Sequence, residues 1–297
     1  TLNPSSAASD VYKRQVFMNI KWGKILLPLV AFSFFLTGCN DLTDKETPKE
    51  LTAQEIYLQA EVKLKDSLHA EASELYAKVE RLYPYSEWAK KSLLMSSVAN
   101  HKGGFYEESR LDAERYLDFY PADTNAAYAQ YLIALSYYDQ IDNVSRDQSV
   151  TFKALQAFRT VIERYPDSEY TSPSLLKFDL SLDHLAGAEM EVGRYYLKRG
   201  HFGAAISRFR VVVEEFETTS HTPEALHRLV ESYLSLGLNA NAQTTGAILG
   251  YNFQASDWYK DTHVLLTGRG ISTEAVNEDS SSWLTKIWRN VTPKKRL

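Results

Sequence analysis

The sequence predicts an all-α chain, a right-handed superhelix of five helix hairpins, and three observations predict it. Small residues recur twelve apart, as Ala60/Ala72, Ser97/Ser109 and Gly193/Ala205, and Val230/Ala242 keeps the spacing with a larger first member. Aromatic residues punctuate the chain at Tyr83-Pro84, Tyr120-Pro121 and Tyr165-Pro166, with remnants at Phe216-Glu217 and Tyr251-Asn252. Between 191 and 217, Gly193, Tyr196, Gly200, Phe202, Ala205, Phe209 and Val212 fall where a helix–turn–helix repeat of about 34 residues needs them. The small residues let two antiparallel helices approach closely. Proline has no backbone N–H and stops each second helix. One hairpin cannot bury its apolar side alone, so the pattern requires stacked neighbours.

Composition narrows the function classes. Of 297 residues, 44% are hydrophobic and 12% aromatic, enough for a packed core and too many for general disorder. A net charge of −5 argues against a nucleic-acid binder, which needs a basic face. Cys39 is the single cysteine, so neither an intrachain disulfide nor a cysteine-rich metal site is expected. The seven histidines (69, 101, 184, 201, 221, 227 and 263) show no metal-ligand spacing. Carboxylate pairs such as Glu107-Glu108 and Glu214-Glu215 read as solvated helix faces. Neither an enzyme nor a metal cofactor is expected.

In chain order, residues 1–17 are polar and fit nothing that follows, so they read as an upstream or non-native segment. Residues 18–38 read as a lipoprotein signal peptide: Lys21 and Lys24 precede the 12-residue apolar run Ile25–Leu36. That run is shorter than the roughly 20 residues a membrane span takes. It ends in Leu36-Thr37-Gly38-Cys39, which resembles a bacterial lipobox. The resemblance implies that Cys39 becomes the mature N-terminus, carrying diacylglycerol and an N-acyl chain. Asn40 after it implies anchoring in the outer membrane, facing the periplasm. Removing four basic residues and one acidic residue from the totals of 33 and 38 leaves 29 and 37, a mature net charge of −8. Residues 39–50 are a polar tether, and Thr52 with Glu55 reads as the capping box that opens the first helix.

Repeats 1–3 occupy 51–170 and repeats 4–5 occupy 171–266. Taking Ala72, Ser109, Ala154, Ala205 and Ala242 as equivalent, the offsets are 37, 45, 51 and 37, so two insertions are expected. One is the loop 140–148 inside repeat three. The other lengthens the opening helix of repeat four to about 27 residues, or about 40 Å. Ser172-Pro173 is expected to cap that helix, Thr222-Pro223 to open repeat five, and Gly237 to close its first helix. Residues 267–297 read as a flexible tail with a short amphipathic helix. Trp283, Leu284, Ile287, Trp288 and Val291 form an apolar stripe beside Lys286, Arg289 and Lys294-Lys295-Arg296. That stripe suits a membrane surface or a partner, or else it folds back on the last repeat.

Specific wording carries a resemblance: YPYSEWAKKS at 83–92, YPADTNAAYAQYLIALSYY at 120–138, Arg146-Asp147-Gln148-Ser149, AFRTVIERYPDSEY at 157–170, LAGAEMEVGRYYLKRGHFGAAISRF at 185–209 and EALHRLVESYLSLGL at 224–238. From Cys39 to Leu266 the chain resembles the BamD family of tetratricopeptide-repeat lipoproteins, and it departs at Tyr251-Asn252-Phe253. The resemblance implies a non-enzymatic scaffold of outer-membrane β-barrel assembly. Its partners would be the periplasmic domains of the BamA insertase, accessory Bam lipoproteins, unfolded outer-membrane proteins and, through the anchor, outer-membrane lipid. Repeats 1–3 would recognise clients through a C-terminal aromatic-rich signal, and repeats 4–5 would bind BamA. The rival is a periplasmic scaffold lipoprotein of the same architecture serving peptidoglycan or cell-division machinery.

Two sets of residues follow. First helices of such repeats line a concave groove. Tyr57, Leu64, Leu94 and Val98 would hold the client peptide there, while Lys65 and Lys102 attract its terminal carboxylate. Ordinary packing with solvated lysines is the other reading. Arg208 would meet a carboxylate of BamA, with Arg199 and Arg228 as weaker candidates.

Overall fold

A computed structural model describes residues 50–273, and all regular structure among them is helical. Five hairpins follow one another: α1 (Ala53–Lys65) with α2 (His69–Leu82), α3 (Glu87–Lys102) with α4 (Tyr106–Phe119), and α5 (Ala126–Tyr138) with α6 (Ser149–Arg164). Then come α7 (Thr171–Lys198) with α8 (Phe202–Glu215) and α9 (Thr222–Ser235) with α10 (Asn239–Asn252). An eleventh helix, α11 (Asp257–Thr267), packs on α9 and α10. Each helix packs on its sequence neighbour, and α1, α3, α5, α7 and α9 also touch in succession, as in a stacked helical superhelix.

The small-residue pairs do what their size allows. Ala60, Ala72, Ser97, Ser109, Ala154, Ala205 and Ala242 have no exposed surface. The Ser97 hydroxyl donates to the Ser109 carbonyl at 2.8 Å, joining α3 to α4. A Cβ placed on Gly193 would lie 2.5 Å from the Phe209 ring, so that crossing admits only hydrogen.

Two turns alternate along the stack. Within four of the hairpins a left-handed residue closes the first helix: Ser67, Gly104, Gly200 and Gly237, at φ 61° to 78°. The next amide then donates five residues back, as Leu68 does to Lys63 and His201 to Tyr196. Repeat three uses its inserted loop instead. Between hairpins an aromatic residue ends the second helix at φ −135° to −130°: Tyr83, Tyr120, Tyr165, Phe216 and Phe253. Its carbonyl accepts the amide three residues on, from Ser86, Asp123, Ser168, Thr219 and Ser256, at 2.9–3.1 Å. The fifth turn therefore sits on Phe253 rather than at Tyr251-Asn252, and Tyr251 stands 90% exposed.

The capping box at Thr52 and Glu55 is present. Ser172 does not cap α7. The helix starts at Thr171, whose hydroxyl donates to the Tyr165 carbonyl at 2.7 Å, because the preceding turn already fixes the chain direction. Thr222 likewise lies inside α9, tied back to Phe216 and Glu217 at 3.1 Å. With its insertion, α7 is 28 residues long, close to the expected length.

Three apolar clusters form one continuous core. Met95 joins the first-repeat cluster to that of repeats two and three, and Phe178 on α7 joins the latter to the cluster of repeats four and five. Cys39, the signal and tether segments and the 283–297 stripe lie outside the described residues.

Candidate functional site

On the first helices, Tyr57, Leu94 and Val98 are each less than a tenth exposed. The Tyr57 ring packs against Tyr76 at 5.3 Å and Trp88 at 5.0 Å, and Leu64 is half-buried against the same cluster. First helices are wedged between second helices, so most of this floor is consumed by packing. Lys65 and Lys102 are exposed at the ends of α1 and α3, with no ion pair among the described residues. Lys91, also exposed, stands 4.9 Å over the Trp88 ring. The structure thus keeps the basic edge accessible and closes much of the apolar bed.

Farther along, α5 presents half-buried rings. Tyr131 stacks on Tyr170 at 5.3 Å and Tyr128 lies 5.1 Å from it. Burial, with Glu169 beside it, pushes the Tyr170 phenol up to about 12, so it stays a proton donor. Lys177 of α7 sits 4.2 Å over the Tyr138 ring.

The loop 139–148 folds on its own side chains. The Gln148 amide donates to the carbonyls of Val144 and Arg146 at 3.2 and 3.0 Å, and Arg146 pairs with Asp142 at 3.1 Å. Val144 approaches α7 where Gly187 leaves room. Beside this loop, α6, α7 and α8 enclose a cleft of about 450 Å³ with Leu155, Leu182, Leu185, Val211 and Phe216 at its floor.

The three arginines are not equivalent. Arg208 is half-exposed and donates to Glu189 at 3.1 Å, on the rim of that cleft. Arg199 lies 4.7 Å over the Tyr195 ring. Arg228 is built into the scaffold: it bridges Glu224 at 3.3 Å and Glu231 at 2.7 Å and covers Trp258 of α11 at 5.1 Å. Arg194 grips the same Glu224 with two bonds of 2.9 and 2.7 Å. Burial opposes the charge on Glu224, but the hydrogen bonds from Arg194 and then Arg228 outweigh it and hold the carboxyl below its ordinary range. Nearby, buried His227 shares a 2.7 Å hydrogen bond with Thr262 of α11. The links between helices in this network are not legible in the sequence, because those partners lie 30 to 35 residues apart. Among the described residues no group of three His, Cys, Asp or Glu side chains is placed to hold a metal ion.

The helices of the stack coincide with a recognised family. A family model, YfiO, described as an outer membrane lipoprotein, matches residues 49–248. The chain belongs to this family. The chain is also similar to the outer membrane protein assembly factor BamD of Caulobacter vibrioides, 45% identical over 82% of this chain and 80% of that protein. The protein of the same name from Rickettsia prowazekii is 37% identical over 83% and 98%. The Neisseria gonorrhoeae one is 28% identical over 78% and 92%. Among solved structures, a tetratricopeptide repeat protein from Parabacteroides merdae aligns with a TM-score of 0.33 and 12% identity, over 80% of this chain and 99% of that one. Membership in the YfiO family fits a location at the outer membrane.

Proposed function

We infer that the chain is an outer-membrane protein assembly factor: a lipid-anchored, non-catalytic scaffold at the periplasmic face that receives unfolded β-barrel proteins and binds the BamA insertase. The observation that carries this is the 45% identity to a protein named for that role, across four-fifths of both chains. Several features support the finer reading. Tandem hairpins build long surfaces suited to other polypeptides. Lys65 and Lys102 give repeats one and two a basic edge for a terminal carboxylate. Arg208 is held by Glu189 within its own chain, so binding a BamA carboxylate through it means exchanging one partner for another. The accessory lipoproteins and the acyl chains on Cys39 belong to the same proposal.

The test is affinity purification of the full chain from detergent-extracted membranes, with mass spectrometry of the eluate and of its mature N-terminus. Co-elution of a β-barrel protein with periplasmic domains, together with an acylated Cys39, is expected. Co-elution of peptidoglycan or division enzymes instead, or an unacylated N-terminus, would overturn the reading.

A further inference from the structure

The cleft between α6, α7 and α8 is an apolar concavity of about 450 Å³, and the proposed assembly role calls on its rim but not on its floor. Its floor of Leu155, Leu182, Leu185, Val211 and Phe216 runs out to Phe152, which is 49% exposed. The rim carries two carboxylates, Glu189 and Glu215. Glu215 is exposed with no partner among the described residues. Arg208 is paired with Glu189 at 3.1 Å, and Arg159 is drawn over the Phe178 ring at 5.6 Å.

The chain itself carries a segment of matching chemistry. Residues 283–297 hold five basic residues and no acidic one, in a chain of net −5, so the other 282 residues carry −10. Trp283, Leu284, Ile287, Trp288 and Val291 fall on one side at helical spacing. Pockets of about 300–1,000 Å³ hold drug-sized ligands, so a cleft of about 450 Å³ has room for an indole. Reach is sufficient as well. Ile271 and Val211 are both partly buried against the apolar cluster that includes Leu155, Leu185 and Phe216. Twelve residue steps then separate Ile271 from Trp283, up to about 40 Å of chain. Successive helix axes lie about 8–10 Å apart, so α11 and the cleft, two helices removed, are within that span.

We propose that the 283–291 segment docks in the α6–α7–α8 cleft of its own chain, its tryptophans on the apolar floor and its positive charge toward Glu215 and Glu189. Seated there, it covers the carboxylate that Arg208 holds. The inference is independent of the assembly role, because it concerns a contact within one chain.

The test uses the full-length protein with the photoreactive residue benzoylphenylalanine in place of Gln156, an exposed rim position. Irradiation should yield an intramolecular crosslink to the 283–291 peptide. Its yield should persist with vesicles of phosphatidylethanolamine and phosphatidylglycerol, and should fall about fivefold or more with Trp283→Ala plus Trp288→Ala. A second measurement, hydrogen exchange of residues 150–159 and 209–216, should show faster exchange in that double variant. Absence of tail peptides among the crosslinked products would overturn the proposal. So would a yield indifferent to the tryptophans, or one abolished by the vesicles, which would assign the tail to lipid.

Discussion

Single residues set the closeness of the stack, and two substitutions should move stability in opposite directions. Ser67 is the one left-handed position of its kind not occupied by glycine. A side chain there costs about 1 kcal/mol or more, so Ser67→Gly should raise the melting temperature by a few degrees. At Gly193 the balance reverses. Alanine gains about 1 kcal/mol in helix propensity, but its Cβ would overlap the Phe209 ring at 2.5–2.9 Å. Overpacking costs about 1–3 kcal/mol, so Gly193→Ala should lower the melting temperature. The lysine edge gives a functional prediction at the same scale. With both cations exposed, Lys65→Glu plus Lys102→Glu should leave the melting temperature unchanged and cut crosslinking to an aromatic C-terminal signal peptide about tenfold. An unchanged yield would return both lysines to plain solvated surface.

Helices form the next level, and α11 shows why some of them were hard to see in advance. The Ser256 cap is not marked by the repeat pattern, because the aromatic remnant at Tyr251-Asn252 precedes the true turn at Phe253. What fastens α11 is tertiary: His227 to Thr262, and Arg228 over Trp258. Those bonds depend on Glu224 and Glu231, both held below the ordinary carboxyl range. For Glu231, burial opposes the charge, and the hydrogen bonds from His227 and Arg228 prevail. A carboxyl depressed in the folded state adds stability above its unfolded pKa of about 4.3, and that stability is lost as pH falls through the folded value. Thermal melts should therefore drop steeply below about pH 4.3. Glu224→Gln should be less stable than the parent at pH 7, with a shallower decline on acidification. Parallel melting curves for the two proteins would show that the carboxylate contributes nothing.

At the scale of the whole molecule, the periodic features were legible and the aperiodic ones were not. Five hairpins, the two insertions and the length of α7 follow from small residues and aromatic turns, because those features recur and can be aligned within one chain. Thr222-Pro223 does open α9, whereas Ser172 does not cap α7, since the aromatic turn before that helix already sets its start. The groove floor looked open because helical spacing reports which residues share a face, not what covers that face. Tyr57, Leu94 and Val98 turned out to be enclosed. Nearest-neighbour packing also carries a prediction. Tyr76 is fully buried in the first-repeat cluster, which shares no member with that of repeats four and five. Tyr76→Ala should speed hydrogen exchange in α1 and α2 by an order of magnitude or more, while α9 to α11 keep their protection. Equal acceleration everywhere would mean that the stack melts as one unit.

The double length of α7 has a mechanical corollary. Near one end Lys177 and Phe178 are gripped by Tyr138 and Arg159, and near the other Gly193 is pressed against Phe209. At 1.5 Å per residue the 28-residue rod is about 42 Å long. A tilt of about 5° imposed at one end swings the other by about 4 Å, a lever arm that the 14-residue helices around it lack.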